Sequence, residues 1–79
     1  MEYDNRQFEK LNLESQKFSE LIFTDCEFFR CEFFENAFEN CLFKNCVFRS
    51  CIIVNNGFNH TEAAGNRFEN CTIIGMNWD

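Results

Sequence analysis

The chain repeats itself every five residues, and this period limits what it can fold into. Starting at Phe8, every fifth residue up to Trp78 is large and apolar except Ala63, so that fourteen of fifteen positions fit the pattern. The positions two residues earlier form a second series, which contains all six cysteines. The repeat therefore covers residues 6–79 and indicates a tandem array rather than an ordinary small globular core.

A period of five fits neither a regular helix nor a straight strand. Five residues turn an α-helix by about 500°, so the apolar side chains would scatter over all of its sides. Side chains of a straight strand alternate with a period of two, so an odd repeat would send successive apolar residues to opposite faces. The chain must instead turn once in each repeat. Two positions of each repeat point inward from a short extended segment and the last two form a corner, which yields a coiled solenoid.

Four blocks of the sequence show the repeat most clearly, with a small residue, a variable residue, Phe and two further residues. They are Cys26–Arg30, Cys31–Glu35, Cys41–Asn45 and Cys46–Ser50. This pattern resembles that of the pentapeptide-repeat family, and the resemblance extends over residues 6–79. It implies an all-β fold, a right-handed quadrilateral β-helix with four repeats per coil. Fifteen repeats centred on Phe8 through Trp78 then give a little under four coils, preceded by residues 1–5 as a lead-in or cap.

Four repeats per coil would stack residues that are twenty apart in the sequence. The inner columns would then hold large apolar side chains except at Ala63, and a small bulge or bent corner is predicted near that residue. Asn36 would lie over Asn56 and form an amide ladder. All the cysteines fall in an inward series and lack the close Cys-x-x-Cys pairs of zinc sites, which predicts a packing role for them.

Charge and composition disfavour several classes of function. Thirteen acidic and seven basic residues give a net charge of −6, which argues against direct binding to nucleic acid and permits a basic partner. The polar N-terminus lacks the apolar core of a signal peptide, and no apolar run approaches the length of a membrane span, so a cytoplasmic location is predicted. No Ser/His/Asp, paired-carboxylate or phosphate-loop pattern occurs. We therefore predict no enzymatic activity, no catalytic residues, no cofactor and no metal.

Two outward surfaces are candidates for binding a protein partner. The first is acidic and consists of Glu20, Asp25, Glu27, Glu32, Glu35 and Glu39. The second is apolar and consists of Phe34, Ile52, Val54 and Ile74. This apolar group is a candidate for partner binding or self-association, although strands also favour such residues without any partner. Trp78, at the end of the array, is a candidate for an end-to-end contact in a homodimer.

Two functions remain open. The resemblance to the pentapeptide-repeat proteins that interact with DNA gyrase and affect quinolone resistance implies a DNA-mimicking module that binds DNA gyrase or topoisomerase IV. The alternative is a structural or scaffolding interaction repeat without a topoisomerase target, which includes a piece of a longer protein. DNA mimicry requires acids in a continuous outward stripe on one or two adjacent faces. A scaffold requires the apolar group to be the dominant exposed feature.

Overall fold

The protein is an all-β solenoid with four sides and four coils. The computed structural model describes residues 1–78, and Asp79 lies outside the described residues. Sixteen short strands follow one another over this range without an intervening helix. Each coil contributes one strand to each side, so four parallel, four-stranded sheets enclose the interior. This arrangement confirms the quadrilateral β-helix that the resemblance to the pentapeptide-repeat family implies.

The sheets are called sides A to D, in the order in which the chain visits them. Side A contains β1 (Glu2–Asp4), β5 (Ile22–Thr24), β9 (Leu42–Lys44) and β13 (Glu62–Ala64). Side B contains β2 (Gln7–Glu9), β6 (Glu27–Phe29), β10 (Val47–Arg49) and β14 (Arg67–Glu69). Side C contains β3 (Asn12–Glu14), β7 (Glu32–Phe34), β11 (Ile52–Val54) and β15 (Thr72–Ile74). Side D contains β4 (Lys17–Ser19), β8 (Ala37–Glu39), β12 (Gly57–Asn59) and β16 (Asn77–Trp78).

The first described residues already belong to the array. Residues 1–5, expected to be a lead-in or cap, contain strand β1, which pairs with β5 and places Tyr3 beside Phe23 in an inner column. The two rings stack with their centroids 5.1 Å apart. The structure thus has sixteen repeats in four coils, where the sequence predicts fifteen repeats and a little under four coils. The first repeat is hidden because it has Tyr in place of Phe and Met1 in place of a small residue.

Each repeat ends in a corner residue whose backbone is left-handed. Every fifth residue from Asn5 to Gly75 has a positive φ, which ranges from 50° at His60 to 69° at Gly65. Asparagine tolerates this conformation better than most L residues, and it occupies five of the thirteen non-glycine corners. Gly65 is favoured for a second reason, since a Cβ at this position would run into the side chain of Asn45 in the preceding coil.

Aromatic columns fill the interior in the predicted register. The column on side B consists of Phe8, Phe28, Phe48 and Phe68. Neighbouring rings of this column are nearly parallel, with centroids 5.0, 4.7 and 4.9 Å apart. Rings on adjacent sides meet edge to face, as Phe23 and Phe28 do at 5.5 Å and 68°. Both geometries are favourable for aromatic pairs, so each ring is held within its column and by the column beside it.

The strand register is maintained at Ala63, where the sequence predicts a bulge or bent corner. Strand β13 pairs with β9 residue for residue, and Ala63 lies opposite Phe43. The predicted bulge is therefore wrong. The corner residues set the path of the chain, and the smaller central residue changes only the packing inside it.

A series of small hydrogen-bond donors fills the second inward position of ten consecutive repeats. Its members are Cys26, Cys31, Asn36, Cys41, Cys46, Cys51, Asn56, Thr61, Asn66 and Cys71. Each side chain donates to the carbonyl oxygen of the residue 23 positions earlier, in the coil before. We call these residues the donor series. Cysteine, asparagine and threonine suit this position because each is small and carries a donor. Burial raises the pKa of the Cys51 thiol to about 11, so this thiol stays protonated at neutral pH.

Asn36 and Asn56 form the predicted amide ladder and satisfy more groups than cysteine can. Asn56 Oδ1 accepts hydrogen bonds from the backbone N–H of Asn36 at 2.9 Å and from Asn36 Nδ2 at 3.1 Å. Asn36 Oδ1 accepts in turn from the backbone N–H of Gln16 at 3.0 Å. Both side chains are fully buried. The ladder therefore provides acceptors for backbone N–H groups as well as donors for carbonyls.

We expect Asn56→Ala to lower the free energy of unfolding by about 2–4 kcal/mol, because it leaves the Asn36 N–H and the Phe33 carbonyl buried without these partners. Chemical denaturation followed by circular dichroism measures the change. Asn59→Ala, the same substitution at an outward position of side D, should cost less than about 0.5 kcal/mol. Equal losses in the two variants would contradict the role assigned to the ladder.

Candidate functional site

The six acids of the candidate acidic surface lie around the whole molecule. Three of them belong to different sides, Glu27 to side B, Glu32 to side C and Glu39 to side D. The other three are the corner residues Glu20, Asp25 and Glu35. Together they form a belt around the second coil, which we call the acidic belt. The structure therefore does not bring these acids into a stripe on one or two adjacent sides.

Arg49 offsets part of the negative charge on side B. Its guanidinium lies 3.2 Å from a carboxylate oxygen of Glu27 and 3.1 Å from one of Glu69, and Arg67 lies 3.5 Å from Glu69. These side chains are more than a third exposed, so the pairs contribute little to stability, about 0–1 kcal/mol each. They do leave Glu27 less available to a basic partner. This cluster was not predicted from the sequence, although Arg49 and Glu69 are twenty residues apart and therefore stack.

The excess negative charge is concentrated toward one end of the solenoid axis and does not lie on one particular side. Residues 1–40, which form the first two coils, contain ten acids and four bases, a net charge of −6. Residues 41–79 contain three acids and three bases, a net charge of zero. The negative potential of the protein is therefore concentrated at its N-terminal half.

The four residues of the candidate apolar surface come together on side C. Phe34, Val54 and Ile74 occupy equivalent positions on three adjacent strands, and Ile52 lies on the middle one. Ile52 is 36% exposed and Ile74 is 56% exposed. Phe34 and Val54 are half-buried. We call these four residues the apolar patch. Acidic residues border it toward the first coil, where Glu14 pairs in register with Phe34.

The last coil exposes residues that continue the inner columns. Phe68, Ile73 and Trp78 are 44%, 41% and 49% exposed. The Trp78 ring stacks on Phe58 with centroids 4.4 Å apart, so the candidate end-contact residue is both exposed and held in place. The missing ring at Ala63 leaves an apolar depression of about 50 Å³ among the neighbouring aromatic side chains. This edge therefore presents an apolar surface with one indentation.

Exposed apolar side chains are separated from the excess charge. In the described part of the chain, the large apolar residues that are exposed are Met1, Ile52, Phe68, Ile73, Ile74 and Trp78. All of them except Met1 belong to the last two coils, which carry no net charge. The molecule thus has an acidic N-terminal half and an apolar C-terminal half. Counting charges separately in the two halves of the sequence would have found this division.

Within residues 1–78, no group of three or more His, Cys, Asp or Glu side chains is placed to hold a metal ion. His60 is an exposed corner residue. The same residues include no helix that is long and apolar enough to cross a membrane. The surfaces left to consider are the acidic belt, the apolar patch and the edge of the last coil.

Comparisons with known proteins bear on the fold. No protein-family model matches the sequence, and no curated protein matches it. The solved structure of QnrB1, a plasmid-mediated fluoroquinolone resistance protein, matches with a TM-score of 0.55 and 19% sequence identity. The match covers 87% of this chain and 48% of QnrB1, so the chain spans about half the length of that protein. A pentapeptide repeat protein (Rfr23) from the cyanobacterium Cyanothece 51142 gives a TM-score of 0.41 and 9% identity, over 99% of this chain and 87% of that one.

Sequence period, sheet topology and structural likeness agree with one another. The five-residue repeat runs through the described chain, and its strands form four parallel sheets. The likeness to QnrB1 extends over most of these coils. The chain therefore has the fold of the pentapeptide-repeat proteins, and its sequence repeat is consistent with that family.

Proposed function

We propose that the protein is a non-enzymatic structural module that associates with a second copy of itself through the apolar patch. The observation that carries this proposal is the grouping of four apolar residues on one side, whereas the acidic belt is spread over three sides and three corners. Contiguous apolar surface is uncommon on proteins that remain monomeric, and removing it from water is favourable. The apolar patch is thus the surface that best meets the requirement for a scaffold.

The pattern on side C favours one arrangement of the two copies. A two-fold axis parallel to strand β11 would make the solenoid axes antiparallel. Phe34 of each copy would then face Ile74 of the other, and the two Val54 side chains would meet near the axis. Glu32 would face a threonine, and Glu14 would lie beyond the end of the second copy. A parallel arrangement would instead set Phe34 against Glu32, which places a carboxylate on an aromatic ring.

The expected association is weak. Side C is a single sheet of three-residue strands, and it offers less than the roughly 800 Å² per partner of a standard interface. A dissociation constant on the order of 100 µM is therefore expected. Because the excess charge lies in the first two coils, the antiparallel pair would carry its acidic halves at opposite ends, where they repel each other least.

We expect Val54→Lys to weaken self-association by about tenfold or more, because it brings two ammonium groups together at the centre of the interface. Sedimentation velocity over a range of protein concentrations measures the change. Val47→Lys is the matched control, since Val47 is a half-buried, outward valine on the neighbouring side B. A wild-type protein that stays monomeric at high concentration would contradict the proposal, as would equal effects of the two substitutions.

End-to-end pairing through Trp78 is the competing mode of self-association. It draws support from the exposure of Trp78, Phe68 and Ile73 on the last coil. The same measurement separates the two modes. Trp78→Ser weakens an end contact and leaves an interface on side C unchanged, whereas Val54→Lys does the reverse.

A DNA-mimicking module that binds DNA gyrase or topoisomerase IV is the second candidate function. It is favoured by the net charge of −6 in the first two coils and by the likeness of fold to a fluoroquinolone resistance protein. It is disfavoured by the distribution of the acidic belt over three sides and three corners. The Cα atoms extend over 24 × 23 × 19 Å, so the molecule has no long axis along which a duplex-like stripe of charge could run.

We expect the folded protein to leave supercoiling by DNA gyrase unchanged, with and without a fluoroquinolone, because the acidic belt does not reproduce the regular charge of a duplex. A gel assay of supercoiled plasmid measures the activity. Inhibition or drug protection would support DNA mimicry, provided that it is lost when Glu27, Glu32 and Glu35 are all replaced by Gln. Circular dichroism establishes that both proteins are folded.

A further inference from the structure

The donor series begins at Cys26, and one of the equivalent positions in the first coil holds a charged residue. On side B its position is occupied by Cys26, Cys46 and Asn66 in the second, third and fourth coils, and by Arg6 in the first. Arg6 is exposed at the outer edge of the solenoid. Its side chain is the only charged one at this inward position in the sixteen repeats. An inward-directed charge at the edge of a sheet is a known means of preventing edge-to-edge association.

The two edges of the solenoid are otherwise complementary to each other. If the first coil of one copy followed the fourth coil of another, every inner column would continue across the junction. The pairs would be Phe68 with Phe8, Ile73 with Leu13, Trp78 with Phe18, and Ala63 with Tyr3. The tyrosine ring would enter the apolar depression beside Ala63. The smallest inner residue of one edge would therefore meet a large aromatic residue of the other.

The backbone groups of the two edges also match. Between successive coils, a corner N–H donates to the following coil, as Asn5 does to the Thr24 carbonyl at 2.9 Å. An N–H of the following coil donates back, as Glu27 does to the Arg6 carbonyl at 2.8 Å. The edges of the first and fourth coils present the two complementary halves of this pattern. Each edge is therefore a template for the other, and the contact would repeat without closing.

The hydrogen bonds of Asn66 show what a side chain of the donor series can satisfy at the position of Arg6 in such a junction. Asn66 Nδ2 donates to the Phe43 carbonyl at 3.0 Å, and Asn66 Oδ1 accepts from the Cys46 N–H at 2.8 Å. A guanidinium has donors but no acceptor, so Arg6 could not accept from the N–H of Asn66 in a second copy. It would also carry a charge into an apolar interior.

We propose that Arg6 prevents the first coil from docking on the fourth coil of a second copy, so that the solenoid does not extend head to tail. This contact is separate from the association through side C, because it involves the two edges and not the apolar patch.

Arg6→Asn tests the proposal, because asparagine supplies both the donor and the acceptor of the ladder without adding apolar surface. We expect the average mass of this variant in sedimentation velocity to rise with concentration and to more than double that of the wild type. Lys10→Asn is the matched control, since it removes the same charge from an exposed corner of the same coil. Arg6→Lys keeps the charge at the edge. Both controls should sediment like the wild type.

Two results would overturn the proposal. One is an Arg6→Asn protein that sediments like the wild type, and the other is a Lys10→Asn protein that assembles as strongly. Arg6→Thr, which introduces the same side chain as Thr61 of the donor series, should assemble as well and guards against a folding defect peculiar to one substitution. Adding Ile73→Asp to Arg6→Asn places a charge on the opposite edge and should abolish the assembly. An assembly that persists in this double variant is not head to tail and contradicts the proposal.

Discussion

A left-handed backbone at every fifth residue is the constraint on which the rest of the structure depends. These corners turn the chain by one side after each three-residue strand, and for this reason residues twenty apart come together. L residues adopt this conformation at a cost of about 1–2 kcal/mol. Contacts between the coils must therefore offset the free-energy cost of each corner. The aromatic columns and the hydrogen bonds between successive coils supply this stabilisation. Asparagine and glycine at several corners reduce the cost.

The two inward positions of each repeat stabilise the fold in different ways. Because both are used for this, function must reside on the exterior. The central position supplies burial through stacked rings such as Phe28 and Phe48. The donor series supplies a small side chain that bonds to a carbonyl of the preceding coil. Cysteine suffices where only a donor is needed, whereas Asn36 and Asn56 also accept from backbone N–H groups. The interior is therefore occupied by packing and hydrogen bonding, and a partner must meet the protein on its sides or edges.

The solenoid was predictable because the repeat assigns the same structural role to the same residue type throughout, and its four sides because the resemblance to the pentapeptide-repeat family implies four repeats per coil. The aromatic columns and the Asn36–Asn56 ladder follow directly from stacking by twenty. The first repeat was missed because Tyr3 and Met1 depart from the usual residue types. The bulge expected at Ala63 does not form because the corners, which are only weakly marked in sequence, determine the path of the chain.

The apolar patch could be predicted from the sequence as one continuous surface, whereas the acids could not, and the reason is geometric. Phe34, Val54 and Ile74 are twenty residues apart, so they lie side by side on one sheet. The six acids are close together in the sequence, and in a solenoid such residues occupy one coil and point away from different sides. Residues that are close in the sequence are therefore separated around the circumference of a coil. For the same reason, the division into an acidic and an apolar half appears only when whole coils are compared.

The role of the left-handed corners is tested most directly by the unfolding free energy of two variants at one corner of the third coil. Ser50 has a φ of 53° and is exposed, so substitutions there alter few contacts besides the backbone preference. We expect that Ser50→Asn leaves the stability unchanged or slightly raised, and that Ser50→Val, a β-branched residue, lowers it by about 1–2 kcal/mol. Equal stability of the two variants in chemical denaturation would contradict the claim that left-handed corners determine this fold.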